Sequence, residues 1–407
     1  RVFKGLKHLE LPTKLSSNLQ YSNIGYAIAA EAAANVGGLP FERLIHDKVF
    51  QPLGLTHTGF LPEMGNHSNY VMPFYADSLK DAQEGRFHEG ALETKLEVTA
   101  ASGDVFSNVY DLLRWGNTIM KFGELDGKQV LNKEAVEEQL TAHTIDRSVR
   151  SMPELGPAAN YGFGWFMDSY KGQTVYYHDG NNPGSTSMIA FFPDSELVVA
   201  TLSNMFLATV PSFLHYYLAD EILNLPRTQD WMGEVALEVA KEMFDLSARA
   251  TLGLDLPPRQ KNSPASHPLV QYEGTYKHPL FADKVVITLE ELEGTGKKNL
   301  HLKYTVIESK MEHYHFETFS YNAKVFSFGG IELLTFTTGE DGKVSGLQMK
   351  YLDKTWNFLK IEKISSSVSS SSNCNKPWSQ EEGVNEIQMD EIETAFEQGA
   401  NGQDVFA

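Results

Sequence analysis

The apolar pattern of this 407-residue chain changes period near Tyr161, and no other feature constrains the fold as strongly. Upstream the spacing is helical. An Ala-rich stretch over about 24–35 stops at Gly37-Gly38, where a left-handed cap costs little. Residues 41–50 predict a short helix ended by Pro52-Leu53-Gly54-Leu55. Ser107 is expected to cap a third helix over 108–122, which Gly123 closes. Val109, Leu112, Leu113, Trp115 and Ile119 form its core-facing stripe. Between these helices, residues 56–100 hold no period and read as a long surface excursion of the kind that lines clefts. Downstream, strand-like runs at 161–167, 174–178, 187–192 and 197–203 are joined by short turns such as Pro193-Asp194-Ser195-Glu196, so neighbouring strands run antiparallel. Helical patterns return at 210–223 and 232–249. The fold class that follows is α+β, an antiparallel sheet flanked by helices.

A second change occurs at Pro257-Pro258-Arg259-Gln260-Lys261-Asn262-Ser263-Pro264, a boundary by composition. Beyond it, residues 270–362 carry short runs rich in Tyr, Val, Phe and Thr, which predict a small all-β barrel. The expected domains are 1–225, a helix and linker over 226–267, a barrel over 268–363, and a tail over 364–407. The tail combines the serine run 365–372 with acidic residues from Glu381 onward, too few apolar groups to offset chain entropy, so it is expected to be disordered.

Charge and composition remove several functions. A formal net charge of −19 repels phosphate backbones and anionic membrane surfaces, so nucleic acid is not an expected partner. No run reaches the ~18 apolar residues needed to span a bilayer, and the best one, 26–36, is interrupted by Glu31. The single cysteine, Cys374, excludes an intrachain disulfide.

Three short boxes carry chemistry: Tyr21-Ser22-Asn23 at the start of the first helix, Ser102-Gly103-Asp104 before the third, and His178-Asp179-Gly180 at the end of a strand-like run. Alone, each is weak, because a Tyr and an Asn two apart or a His before a turn are commonly structural. In this order and spacing, with Tyr161-Gly162-Phe163-Gly164-Trp165 and Pro183-Gly184 flanking the last box, they resemble the penicillin-binding, β-lactamase-like serine hydrolases. In that family a Tyr-x-Asn box faces a Lys-Thr-Gly or His-x-Gly strand, and the resemblance covers about residues 20–225. It implies Tyr21 as the proton shuttle, Asn23 and His178 as orienting groups, Gly180 as room for a substrate along the strand edge, and the Asn181 backbone N–H as an oxyanion donor. It implies no metal and no organic cofactor. The expected partner is a small-molecule or peptide substrate, with homo-oligomerisation left open. The barrel resembles the lipocalin-like domain appended to some members.

The family's nucleophile lies in a Ser-x-x-Lys box before Tyr-x-Asn. No Ser-x-x-Lys occurs in this sequence, and only twenty residues precede Tyr21, so the nucleophile is expected upstream of Arg1. A tyrosine with an ordinary pKa of about 10 needs nearby positive charge to act as a base, so the chain by itself is expected to be inactive. Histidine in place of the family's lysine tilts the expected substrate from penicillins toward esters, amides or peptides. A non-catalytic relative that uses the cleft or the barrel for binding or assembly is the alternative. Two other patterns carry less. His313-Tyr314-His315 would set two imidazoles on one strand face without a third ligand, and Thr118-Ile119-Met120-Lys121 mimics a nucleophile box inside an amphipathic helix.

Overall fold

The computed structural model describes residues 14, 16–90, 100–147, 154–206, 208–279, 281, 283–291, 296–323, 330–351 and 354–362. The tail expected to be disordered lies outside the described residues. Helix α1 spans Asn23–Gly37 and begins where the Ser22 side chain accepts from the Gly25 N–H; it ends at Gly38, whose φ of 65° is the left-handed cap expected there. The next helical segment is not uniform: Phe41–Ile45 passes into one wide turn, His46–Phe50, and a last turn, Gln51–Leu53, closes at Gly54 with φ of 66°.

Helix α2 spans Val109–Met120, and its cap is Asn108 rather than Ser107. The Asn108 side chain accepts from Asp111 N–H at 2.9 Å, whereas the Ser107 hydroxyl is engaged with Thr58 at 2.8 Å and is not free to cap. Of the expected stripe, Ile119 is buried and the other four residues are half-buried. The excursion at 56–90 is shaped by two-residue ladders, Gly59–Phe60 with Val105–Phe106 and Phe74–Tyr75 with His88–Glu89.

The central sheet has six strands: β1 Thr144–Asp146, β2 Ala159–Tyr161, β3 Phe166–Tyr170, β4 Gln173–Asn182, β5 Ser185–Phe192 and β6 Leu197–Ser203. They lie in sequence order and every pair is antiparallel, as short connections require. Two expected boundaries shift, both because of glycine. The run 161–167 is broken by a turn in which Gly162 N–H donates to the Trp165 carbonyl and Gly164 adopts φ of 88°. The run ending at 178 instead continues to Asn182, because the chain reverses later, at Pro183-Gly184, with Asn182 opposite Ser185 and Gly184 at φ of 77°. His178 therefore sits within a ten-residue strand, not at its end.

Helices cover both faces of this sheet. On one, α2 packs over Ile189, Phe191 and Val198, and the close approach is possible because Gly116 has no Cβ; one there would lie 2.7 Å from Val198 Cγ1. On the other, helix α3, Thr209–Ile222, buries Tyr216 and Ala219 against Tyr170, Val175, Ala190 and Phe192. Helix α4, Ala236–Leu252, follows a wide turn at Trp231–Val235.

The Pro-rich segment is tied down: Arg259 donates to the carbonyls of Tyr314 and His313 at 2.7 and 2.8 Å, and Tyr314 donates to the Pro257 carbonyl. Eight strands then close a barrel in sequence order, β7 Gly274–Lys277, β8 Val285–Glu291, β9 Lys298–Tyr304, β10 Ile307–His315, β11 Thr318–Asn322, β12 Ile331–Thr338, β13 Val344–Tyr351 and β14 Lys354–Glu362. Pairing of β14 with β7 removes the open edges. Tyr272, Tyr276, Ile287, Leu300, Phe319 and Leu334 fill the interior, so likeness to lipocalins stops at strand number and order. A register shift separates His313 from His315, and each ring already has a backbone contact, His313 with the Phe316 carbonyl and His315 with the Gln260 N–H. Among the described residues no helix is long and apolar enough to cross a membrane.

Candidate functional site

The sheet brings the expected boxes together around the middle of β4. Side chains alternate along a strand, so His178 and Gly180 share one face and Asp179 and Asn181 the other. Strand β3 covers the flank of β4 only as far as Tyr177, opposite Phe166. From His178 to Asn182 the strand is paired with β5 alone, and the other edge has no strand partner among the described residues. Such an edge offers backbone N–H and C=O groups to an extended ligand.

Helix α1 delivers its first turn to that edge. Tyr21 lies beside His178 with ring centroids 5.9 Å apart, and beside Tyr26 at 5.7 Å. Asn23 is exposed at the first position of α1. The short helical turn Ala100–Gly103, ahead of α2, closes the far side, where the Asn182 side-chain amide donates to the Gly103 carbonyl. Gly103 belongs to the Ser102-Gly103-Asp104 box, so the three boxes converge.

Two residues that were not singled out complete the site. Tyr26 and Tyr161 hydroxyls meet at 2.5 Å, and Tyr161 Oη lies 3.0 Å from His178 Nε2. The other ring nitrogen, Nδ1, lies 2.7 Å from the Asp179 carbonyl oxygen. Phe166 packs on the same imidazole at 5.6 Å between centroids. The one hint of Tyr161 in the sequence was its place at the head of the Gly-rich turn; Tyr26 carried none, because the two tyrosines are 135 positions apart.

Gly180 and Asn181 have internal neighbours as well. A Cβ at Gly180 would lie 2.5 Å from Ser187 Oγ across the ladder, so a larger residue there would make that hydroxyl rotate away. The Asn181 side chain donates to Asp179 at 3.1 Å and accepts from the Thr186 hydroxyl. Thr118 is buried within α2, its hydroxyl donating to the Arg114 carbonyl, away from these boxes in role and partner.

Electrostatics do not favour a tyrosinate. Burial, then Tyr26, then the Asp179 carboxylate push the Tyr21 phenol above its ordinary value. The Tyr161 phenol is pushed well up by burial first and by the Tyr26 hydrogen bond second, again with Asp179 in the same direction. A depression of about 450 Å³ lined by Glu154, Leu155, Gly156, Lys171 and Thr228 lies at the opposite end of β3 and contains none of these groups.

Comparisons with known proteins bear on this arrangement. A family model described as Beta-lactamase matches residues 2–224, and one described as Domain of unknown function (DUF3471) matches residues 258–363. The unguisins hydrolase ungD' of Aspergillus campestris is 23% identical over 71% of this chain and 53% of its own length. Penicillin-binding protein 4 of Amycolatopsis lactamdurans is 25% identical over 47% of this chain and 48% of its own length. The chain spans about half the length of these curated relatives. Among solved structures, the octameric penicillin-binding protein homologue from Pyrococcus abyssi aligns with a TM-score of 0.44 at 17% identity, over 86% of this chain and 66% of that one.

Proposed function

Because the chain belongs to the β-lactamase family, whose model matches residues 2–224, we propose that it works in acyl transfer on an uncharged ester, amide or peptide carbonyl. The supporting observation is the uncovered edge of β4 at 178–182, faced by Tyr21 just ahead of α1. A serine Oγ attacks the substrate carbonyl carbon while its proton passes to the Tyr21 phenolate, which the lysine of the nucleophile's box stabilises; the leaving group takes that proton, and water then hydrolyses the acyl-enzyme. Asn23 and His178 orient substrate and shuttle, and the Asn181 N–H donates to the oxyanion. The nucleophile and its lysine are supplied by a Ser-x-x-Lys segment outside the 407 residues, since none of the serines here carries that spacing. One relative's name, a hydrolase of unguisins, and the D-alanyl-D-alanine carboxypeptidase names of others agree with an amide or peptide substrate.

A second reading has an observation behind it: every cause acting on Tyr21 raises its phenol, which weakens it as a base and favours a non-catalytic chain used for binding or assembly. A serine-directed acylating probe separates the two. Labelling is expected to be absent from the 407-residue chain, to appear when the upstream coding sequence is restored, and to be lost again in the extended Tyr21→Phe variant. Stoichiometric labelling of the short chain, abolished by Tyr21→Phe, would overturn the placement of the nucleophile. An extended chain that never labels would leave the binding reading in place.

A further inference from the structure

The environment of His178 decides which of its nitrogens carries the proton. A carbonyl oxygen only accepts, so the 2.7 Å contact with the Asp179 carbonyl requires a proton on Nδ1. In the neutral ring Nε2 is then an acceptor, and the group 3.0 Å away, the Tyr161 hydroxyl, donates to it. The Tyr161 oxygen in turn accepts from Tyr26 at 2.5 Å, and the Gly164 backbone acts on the Tyr26 phenol in the direction of a donor. The Tyr161 hydroxyl thus gives one hydrogen bond and receives one. Gly164 reaches this position through its left-handed backbone, φ of 88°, in the turn that breaks the Tyr161 run.

We propose that Tyr161 is a positioning residue that, supported by Tyr26, occupies Nε2 of His178, while the Asp179 carbonyl fixes the neutral Nδ1–H tautomer. The proposal rests on the reading of β4 as the substrate edge, and it changes what that edge presents. With both ring nitrogens engaged, His178 has no N–H to offer a ligand carboxylate, and the neighbouring Asp179 side chain, exposed on the same strand, adds negative charge. The ligand is therefore met by the backbone of 178–182 and by the ring face, which suits an uncharged carbonyl rather than a free carboxylate.

The tautomer can be read without catalysis. In the 407-residue chain labelled with ¹⁵N-histidine, long-range ¹H–¹⁵N correlations at neutral pH are expected to show His178, assigned by its loss in His178→Gln, as the Nδ1–H form. Tyr161→Phe is expected to keep the Nδ1–H form, held by the Asp179 carbonyl, but to shift the Nε2 resonance as its hydrogen bond is lost, while Tyr26→Phe, which spares the hydroxyl touching the ring, leaves that resonance near its parent position. A second readout is peptide-level modification by diethyl pyrocarbonate, expected to be severalfold faster at His178 in Tyr161→Phe than in the parent at equal melting temperature. An Nε2–H tautomer in the parent, or unchanged shifts and modification rate in Tyr161→Phe, would overturn the proposal. Since neither measurement needs a nucleophile, failure here is distinct from failure of the acylation test above.

Discussion

Two polar clusters occupy opposite ends of β3, and they differ in how charge is handled. At the far end Lys171 donates to both Asp220 carboxylate oxygens at 2.7 and 2.8 Å and to the Pro226 carbonyl. Tyr170 and the Trp231 indole donate to the same carboxylate, which is 3% exposed. Charge is neutralised, donors and acceptors are matched, and the cluster fastens the sheet to α3 and the segment that follows it. At the near end, two phenols, Tyr26 and Tyr161, and the His178 imidazole form a hydrogen-bonded chain, and Tyr21 stands 46% exposed without a side-chain hydrogen bond among the described residues. No cation is among the causes acting on Tyr21 or Tyr161. A matched, neutralised cluster holds a fold together; one with unused hydrogen-bonding capacity and an uncovered strand edge is available to something else.

The comparison is broken most directly at the far end. Asp220→Ala strands the Lys171 ammonium, whose side chain is 9% exposed, and is expected to cost roughly 3–5 kcal/mol in urea unfolding. The paired change with Lys171→Met should recover much of that. A loss under 1 kcal/mol for Asp220→Ala, below about one lost hydrogen bond, would show that the cluster does not anchor the sheet.

His215 supplies an intermediate effect. It is buried on α3 against Tyr177, neither ring nitrogen has a hydrogen-bond partner among the described residues, and burial pushes its pKa down from 6.5 to about 3. The unfolded chain takes up this proton more readily than the folded one, so stability is unaffected above pH 6.5 and falls as pH drops toward 3. Between pH 7 and 5 the expected loss is about 2 kcal/mol from this residue. Comparing the parent with His215→Phe at both pH values isolates it; parallel losses in the two proteins would mean that His215 is not the acid-sensitive group.

The smallest effect belongs to the near end. Tyr26→Phe removes one hydroxyl from a half-buried, hydrogen-bonded chain and is expected to cost about 1 kcal/mol. Were it to equal Asp220→Ala, the contrast between the two clusters would vanish.

Legibility in the sequence followed the range of the interaction. The antiparallel sheet, the flanking helices and the barrel were readable because period, turn residues and short connections are local. So was the left-handed cap at Gly38. Boundaries that depend on a partner were missed: Ser107 looks as good a cap as Asn108 until Thr58 occupies its hydroxyl, and the end of β4 depends on where Pro183-Gly184 reverses the chain. Of the site, Tyr21 and His178 were legible through motif order, whereas Tyr26 and Tyr161 were not.

What the amino-acid order determined by itself was the switch of period near Tyr161, the second switch after the Pro-rich segment, and the family boxes, all carried within a few residues of chain. Only the tertiary structure decided that Gly180 answers to Ser187 across the ladder, that the Gly103 carbonyl meets Asn182, and that Tyr161 and Tyr26 meet at His178. The physical reason is register: a one-residue slip in β4 would turn His178 to the other face, and no local pattern records which hydroxyls the correct register brings within 3 Å of its ring.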